Sequence, residues 1–269
     1  FDEAGRHGIS LLSGHIGGAN ELTRKLCAAV GADPVITTAT DVTGVLAPDA
    51  IAARLALRPV PKSAIQVLNT ALLEGKELSY YIASDLPHAA FYEAQLRAEE
   101  IQARLFRGEI PPVEANEYRV VVSCAEDVPK QYEPRTLYLV PRRLIAGVGC
   151  RAGVPAAKIL HALTEACSMI GREPSMIDLF ASTIVKRDEE GLLAAAETLG
   201  REIHFYSNED LAAMIERYGL RESDFVRQTI GVGNVSEAAA LCAAGEAGGR
   251  MALGKTSFGK VTVALLWEK

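Results

Sequence analysis

From residue 7 the chain alternates short apolar runs with stretches of helical spacing. Residues 7–12 are largely apolar and residues 34–39 are β-branched, so both predict strands. Between them Leu22, Leu26, Ala29 and Val30 fall on one helix face, with Gly31 as the stop. The result is a β–loop–α–β unit, the building block of parallel sheets. Helical spacing predicts segments over residues 49–57, 62–73 and 91–106, the last carrying Leu96, Ile101 and Leu105. Residues 78–83 and 118–123 predict strands.

Pro129, Pro134 and Pro141 then fall among charged residues over 127–143, where the main boundary is expected. A second α/β set follows. Residues 144–148 predict a strand, 155–170 a helix, 188–199 a helix, 202–206 a short strand and 207–217 a helix. Ser207 and Asp210 resemble a capping box with Asp in place of Glu. The β-rich run 261–267 closes the chain. The predicted class is α/β, with two lobes, each a mostly parallel sheet flanked by helices, and a helical middle segment. Its parts are 1–48, the remainder of an N-terminal α/β domain, 49–138, a helix-rich middle region, and 143–269, a C-terminal α/β domain.

Composition narrows the classes. Of 269 residues, 49% are hydrophobic and 23% charged, enough apolar surface to exclude a wholly disordered chain. No run approaches the ~18 apolar residues of a spanning helix, so no membrane partner is expected. The net charge of −6 argues against a nucleic-acid partner, whose binding surface is usually basic. Five cysteines without CxxC spacing argue against a disulfide scaffold or structural zinc, and fit reduced thiols in a cytoplasm.

Five stretches carry candidate chemistry. Gly249 to Thr256 matches G-x-x-x-x-G-K-[ST], but its Met-Ala-Leu interior reads as a strand and no helix follows. It is read as a coincidental match in a β-hairpin. Ser13, Gly14, His15, Gly17, Gly18 and Asn20 lie in a glycine-rich loop between strand and helix. Such a loop admits a ligand to the backbone, and the helix start favours anions. The competing reading is a tight connection with Asn20 as the cap. Thr40 and Asp41 sit at the carboxyl end of a parallel strand, where α/β sheets bind ligands. A turn that caps the next segment is equally consistent. Gly149, Cys150 and Arg151 again lie between strand and helix, with Arg151 able to hold a carboxylate bidentately. Cys150 at a helix start would have a lowered pKa, against the simpler reading of a small packing residue. Asn234, Ser236 and Glu237 read as a capping box, with a catalytic acid at Glu237 as the alternative. His161 shares a polar helix face with Glu165 and Ser168 and is read as solvated.

The strings Leu-Leu-Ser-Gly-His-Ile-Gly-Gly-Ala-Asn-Glu-Leu at 11–22 and Ile-Thr-Thr-Ala-Thr-Asp at 36–41 resemble the CbiG family, the cobalt-precorrin-5A hydrolases of anaerobic cobalamin biosynthesis. Ala-Leu-Leu-Glu-Gly-Lys at 71–76, Ser-Asp-Leu-Pro at 84–87, Gly-Val-Gly-Cys-Arg at 147–151, Glu-Glu-Gly-Leu-Leu at 189–193, Val-Ser-Glu-Ala-Ala at 235–239 and Lys-Val-Thr-Val-Ala at 260–264 extend the likeness in order along the chain. The family carries a further half-domain ahead of this point, so the first part of the N-terminal domain is expected to be absent.

The resemblance implies hydrolysis of the δ-lactone of cobalt-precorrin-5A, with release of acetaldehyde to give cobalt-precorrin-5B. The partner is then a cobalt-containing tetrapyrrole, and no cofactor is expected because the substrate carries the cobalt. A homodimer is compatible with the sequence. Lactone hydrolysis needs a base for water and donors for the oxyanion. His15 is assigned as base and Asp41 as its orienting partner, with Glu237 as a further candidate. Ser13, Gly14, Gly17, Gly18, Asn20, Thr40, Gly149, Cys150, Arg151, Ser236, Lys255 and Lys260 are assigned to the substrate, the cations for its peripheral carboxylates. The rivals are a non-catalytic tetrapyrrole carrier of the same pathway and an NTPase using residues 249–256.

Overall fold

The computed structural model describes residues 1–10, 19–36 and 46–269 and divides into two units, Phe1–Pro141 and Arg142–Lys269. In the first unit β1 (His7–Ser10) and β2 (Asp33–Ile36) pair in parallel around α1 (Ala19–Val30), as the β–loop–α–β pattern predicts. Their register ends at the pair Ser10 and Ile36. The two strands therefore end side by side. The spacing of Leu22, Leu26 and Val30 does mark one helix face, but those residues are exposed, while Asn20 and Cys27 are buried.

The rest of this unit is a five-stranded sheet in the order β3-β7-β6-β4-β5. Its strands are β3 (Leu57–Val60), β4 (Leu78–Ala83), β5 (Ala103–Phe106), β6 (Tyr118–Val122) and β7 (Thr136–Pro141), all parallel except β3 on β7. Helices α2 (Pro48–Leu55), α3 (Lys62–Leu73) and α4 (Ala89–Arg97) cover one face. Leu68, Ile82, Leu96, Val120 and Leu137 meet there, and full burial of each aliphatic side chain contributes ~1.5–3 kcal/mol. The central β6 reads Tyr-Arg-Val-Val-Val because both its faces are covered. Its Arg119 is buried yet satisfied, donating to Thr136 Oγ1 at 2.9 Å and to the Pro111 carbonyl.

The helix expected over 91–106 stops at Arg97. Glu100 takes a left-handed φ of 61°, its N–H bonds to the Arg97 carbonyl, and the Ile101 N–H bonds to the Leu96 carbonyl. That is a Schellman termination, closed by Ile101 and Leu96 in the same apolar cluster. The chain freed beyond it becomes β5, parallel to β4.

The second unit is a mixed five-stranded sheet in the order β10-β9-β8-β12-β11. Strands β8 (Leu144–Cys150), β9 (Leu179–Thr183) and β10 (Ile203–Tyr206) are parallel, while β11 (Gly249–Phe258) and β12 (Val261–Glu268) add as an antiparallel hairpin. Helices α5 (Ala156–Ser168) and α6 (Glu190–Thr198) pack together, α5 lying against β12. Helices α7 (Asn208–Tyr218) and α9 (Ser236–Ala244) form an apolar cluster with β8, β9 and β12. A short helix, α8 (Asp224–Ile230), lies between these last two in sequence. The expected capping box at α7 is present, with Ser207 Oγ accepting from the Asp210 N–H at 3.1 Å and Asp210 returning the bond. No helix among the described residues is long and apolar enough to cross a membrane.

Candidate functional site

The carboxyl end of β8 gathers most of the candidates in the second unit. The run Leu-Ile-Ala-Gly-Val-Gly-Cys is buried throughout, and its two glycines let neighbours close in. A Cβ on Gly147 would lie 1.8 Å from the Ser236 carbonyl oxygen, so the first turn of α9 sits directly on the strand. A Cβ on Gly149 would meet Thr262 Oγ1 at 2.6 Å, on the adjacent β12. Beyond the last pair of that ladder, Cys150 and Val261, the Arg151 N–H donates to the Lys260 carbonyl at 3.0 Å. Two exposed cationic residues are thereby set side by side at the rim.

Behind this rim lies an ion pair that the sequence reading did not single out. Lys186, only 6% exposed, donates to Glu189 Oε1 at 2.8 Å. The other Glu189 oxygen accepts the Gly153 N–H at 3.0 Å, tying down the connection from β8 to α5. The i, i+3 spacing was its only sequence signal. The Lys186 ammonium and the Gly153 N–H hold the Glu189 carboxyl below the ordinary carboxylate range. Its contribution is therefore full at neutral pH and is lost as pH falls through that lowered pKa. Glu189→Gln is expected to lower stability by about 2 kcal/mol at about pH 7 and to shrink the loss between about pH 7 and pH 3. Urea midpoints at the two pH values check this, and an unchanged acid dependence would refute it.

Cys150 lies well before α5 begins at Ala156, so it is not at a helix start. Burial pushes its thiol up, partly countered by Lys186, which fits packing rather than nucleophilic duty. Ser236 is fully buried under the α9–β8 contact. The expected cap at 234–237 is shifted by one residue. The Glu237 N–H donates to Asn234 Oδ1 at 3.2 Å, but the Glu237 carboxylate returns to the Asn234 side chain, not to its backbone. The second Glu237 oxygen accepts the Lys255 N–H at 3.0 Å, and Lys255 Nζ donates to the Gly233 carbonyl at 3.1 Å. These bonds stitch β11 to the α8–α9 connection. Burial lowers the Lys255 pKa against the pull of Glu237 and Glu222. Residues 249–256 lie within β11 and open no helix, so the phosphate-loop geometry is absent there.

In the first unit Asn20 sits inside the start of α1 and is 2% exposed. Ser10 Oγ donates to its Oδ1 at 2.6 Å, which pins the helix to the end of β1. Ser13, Gly14, His15, Gly17, Gly18, Thr40 and Asp41 lie outside the described residues. Among the described residues no group of three or more His, Cys, Asp or Glu side chains could hold a metal ion.

Residues 144–266 match the family model described as cobalamin synthesis G C-terminus, and residues 1–41 match cobalamin synthesis G N-terminal. The cobalt-precorrin-5A hydrolase of Salmonella typhimurium is 35% identical, over 89% of this chain and 66% of that protein. That of Priestia megaterium is 30% identical, over 98% of this chain and 70% of that protein. The chain belongs to the CbiG family. It spans about two thirds of the length of these CbiG relatives, 66% and 70%. A crystal structure of a cobalamin biosynthesis protein G homolog from Sulfolobus solfataricus superposes with a TM-score of 0.54 at 20% identity, covering 98% of this chain and 71% of that one. The CbiG fold is thus shared at low sequence identity.

Proposed function

We propose that the chain hydrolyses the δ-lactone of cobalt-precorrin-5A and releases acetaldehyde, giving cobalt-precorrin-5B in cobalamin biosynthesis. The observation that carries this reading is the match, over 89% and 98% of the chain, to two proteins named cobalt-precorrin-5A hydrolase. The cobalt is part of the substrate. The five free thiols suit a reducing cytoplasm.

The chemistry divides into two steps. Water adds to the lactone carbonyl as a base takes its proton, and backbone N–H donors hold the oxyanion. Collapse of that adduct frees a carboxylate and a hydroxyl. Loss of the hydroxyl proton then lets a carbon–carbon bond break, its electron pair passing to the macrocycle as acetaldehyde leaves. His15 is the base, Asp41 orients it, and the Gly17 and Gly18 N–H groups are the oxyanion donors. The strands that precede these two residues in sequence, β1 and β2, end side by side in parallel register. Arg151 and Lys260 receive peripheral carboxylates, a role suited to their exposure and adjacency. Glu237 and Lys255 brace this edge through their mutual bonds.

The test is acetaldehyde release from cobalt-precorrin-5A, read by coupled NADH oxidation with alcohol dehydrogenase. Turnover of substrate with one acetaldehyde per lactone opened is expected. Binding of the substrate without acetaldehyde would overturn the assignment.

A further inference from the structure

The rim beside Arg151 holds an aromatic ring with no packing role of its own. Phe225 on α8 is 62% exposed, and no residue of that helix is buried. Its neighbours Val226 and Ile230 are the ones turned to the apolar cluster. A single exposed Phe needs no explanation by itself. This one has a fixed place and a specific companion.

Hydrogen bonds, not the ring, set the position of α8. The Ser223 N–H donates to the Gly233 carbonyl at 2.9 Å, and Glu222 accepts the Gly233 N–H at 2.9 Å. Asn208 Nδ2 donates to the Ile230 carbonyl at 2.6 Å at the other end. Phe225 is therefore held out to solvent by a scaffold that does not depend on it. The Arg151 guanidinium carbon lies 5.5 Å from the ring centroid, and the Arg151 backbone is bonded to Lys260. A largely exposed ring, a guanidinium over it and a neighbouring exposed lysine lie together at this rim. That combination suits a ligand with a broad π surface and carboxylates on its perimeter.

We propose that Phe225 is the platform on which the face of the tetrapyrrole rests, with Arg151 positioned by that ring to take a peripheral carboxylate. The inference rests on the tetrapyrrole reading above and adds to it a specificity residue. Stacking on the ring aligns the macrocycle before the lactone reacts, so the effect falls on binding and not on the bond-breaking steps.

Kinetics on cobalt-precorrin-5A with Phe225→Ala, Phe225→Leu and Phe225→Tyr test it. Alanine and leucine are expected to raise KM roughly five- to tenfold with kcat within about twofold, while tyrosine restores KM. All three should keep close to the wild-type thermal midpoint, because Phe225 is 62% exposed. An unchanged KM in the alanine variant, or equal recovery by leucine and tyrosine, would overturn the platform while leaving the hydrolase reading intact. Absence of turnover in the wild type would remove the reading on which the platform rests, and the platform with it.

Discussion

Replacing His15 by alanine is expected to cut kcat for acetaldehyde release by about 10²- to 10⁴-fold, the range a positioned general base contributes. The loss should fall on kcat and kcat/KM alike, because proton removal from water is an interaction of the transition state. In the active protein the acid limb of the kcat profile should follow the ionisation of a single imidazole. Activity falls below it because the base is then already protonated. Asp41→Asn should cause a smaller loss and move that limb to lower pH, since a neutral amide no longer favours the imidazolium. His161→Ala is the control: that residue is exposed on α5 and outside the proposed chemistry. Wild-type turnover in His15→Ala would exclude it as the base, whatever the fate of the substrate assignment.

Local chemistry made part of the architecture readable in advance. The 62–73 and 78–83 segments coincide with α3 and β4, because their apolar spacing agrees with what tertiary packing requires. Ser207 announces α7 through a bond confined to four consecutive residues. The strand inside the phosphate-loop match was legible for the same reason: Met-Ala-Leu pairs in a hairpin whether or not a formal motif covers it.

What stayed hidden depends on partners distant in sequence. Leu179–Thr183 is an interior strand with Ala and Ser in it, and only its neighbours β8 and β10 define it. β5 was masked by helical spacing that runs past Glu100, where a left-handed residue other than glycine turns the chain. The site behaves likewise. Arg151 and Lys260 could each be suspected as cations, but their adjacency comes from the antiparallel ladder of β8 and β12. Phe225 gave no periodic signal, since its significance lies in the guanidinium above it. Lys255 looked free to reach a ligand, and the Gly233 carbonyl that occupies its ammonium lies on another element.

Gly147→Ala is expected to destabilise the Arg142–Lys269 unit by about 3 kcal/mol or more, lowering its thermal midpoint by about 10 °C. The added methyl would sit 1.8 Å from the Ser236 carbonyl oxygen and 3.1 Å from Ala240 Cβ. A backbone oxygen cannot rotate away, so α9 itself must lift from β8. Ser236→Ala therefore offers no relief. Gly149→Ala is the instructive contrast. Its nearest obstacle is the Thr262 hydroxyl at 2.6 Å, a side-chain atom, so Thr262→Ala should recover part of that loss. A double-mutant cycle by chemical denaturation separates the two cases, with coupling expected for 149 with 262 and none for 147 with 236. Stability within about 1 kcal/mol of wild type in Gly147→Ala would mean that α9 does not sit on β8 as described. The seating matters beyond stability, because the same first turn of α9 carries Glu237, which holds the Lys255 backbone. Lifting it would loosen the edge at which Arg151, Lys260 and Phe225 meet, so weakened substrate binding should accompany the thermal loss.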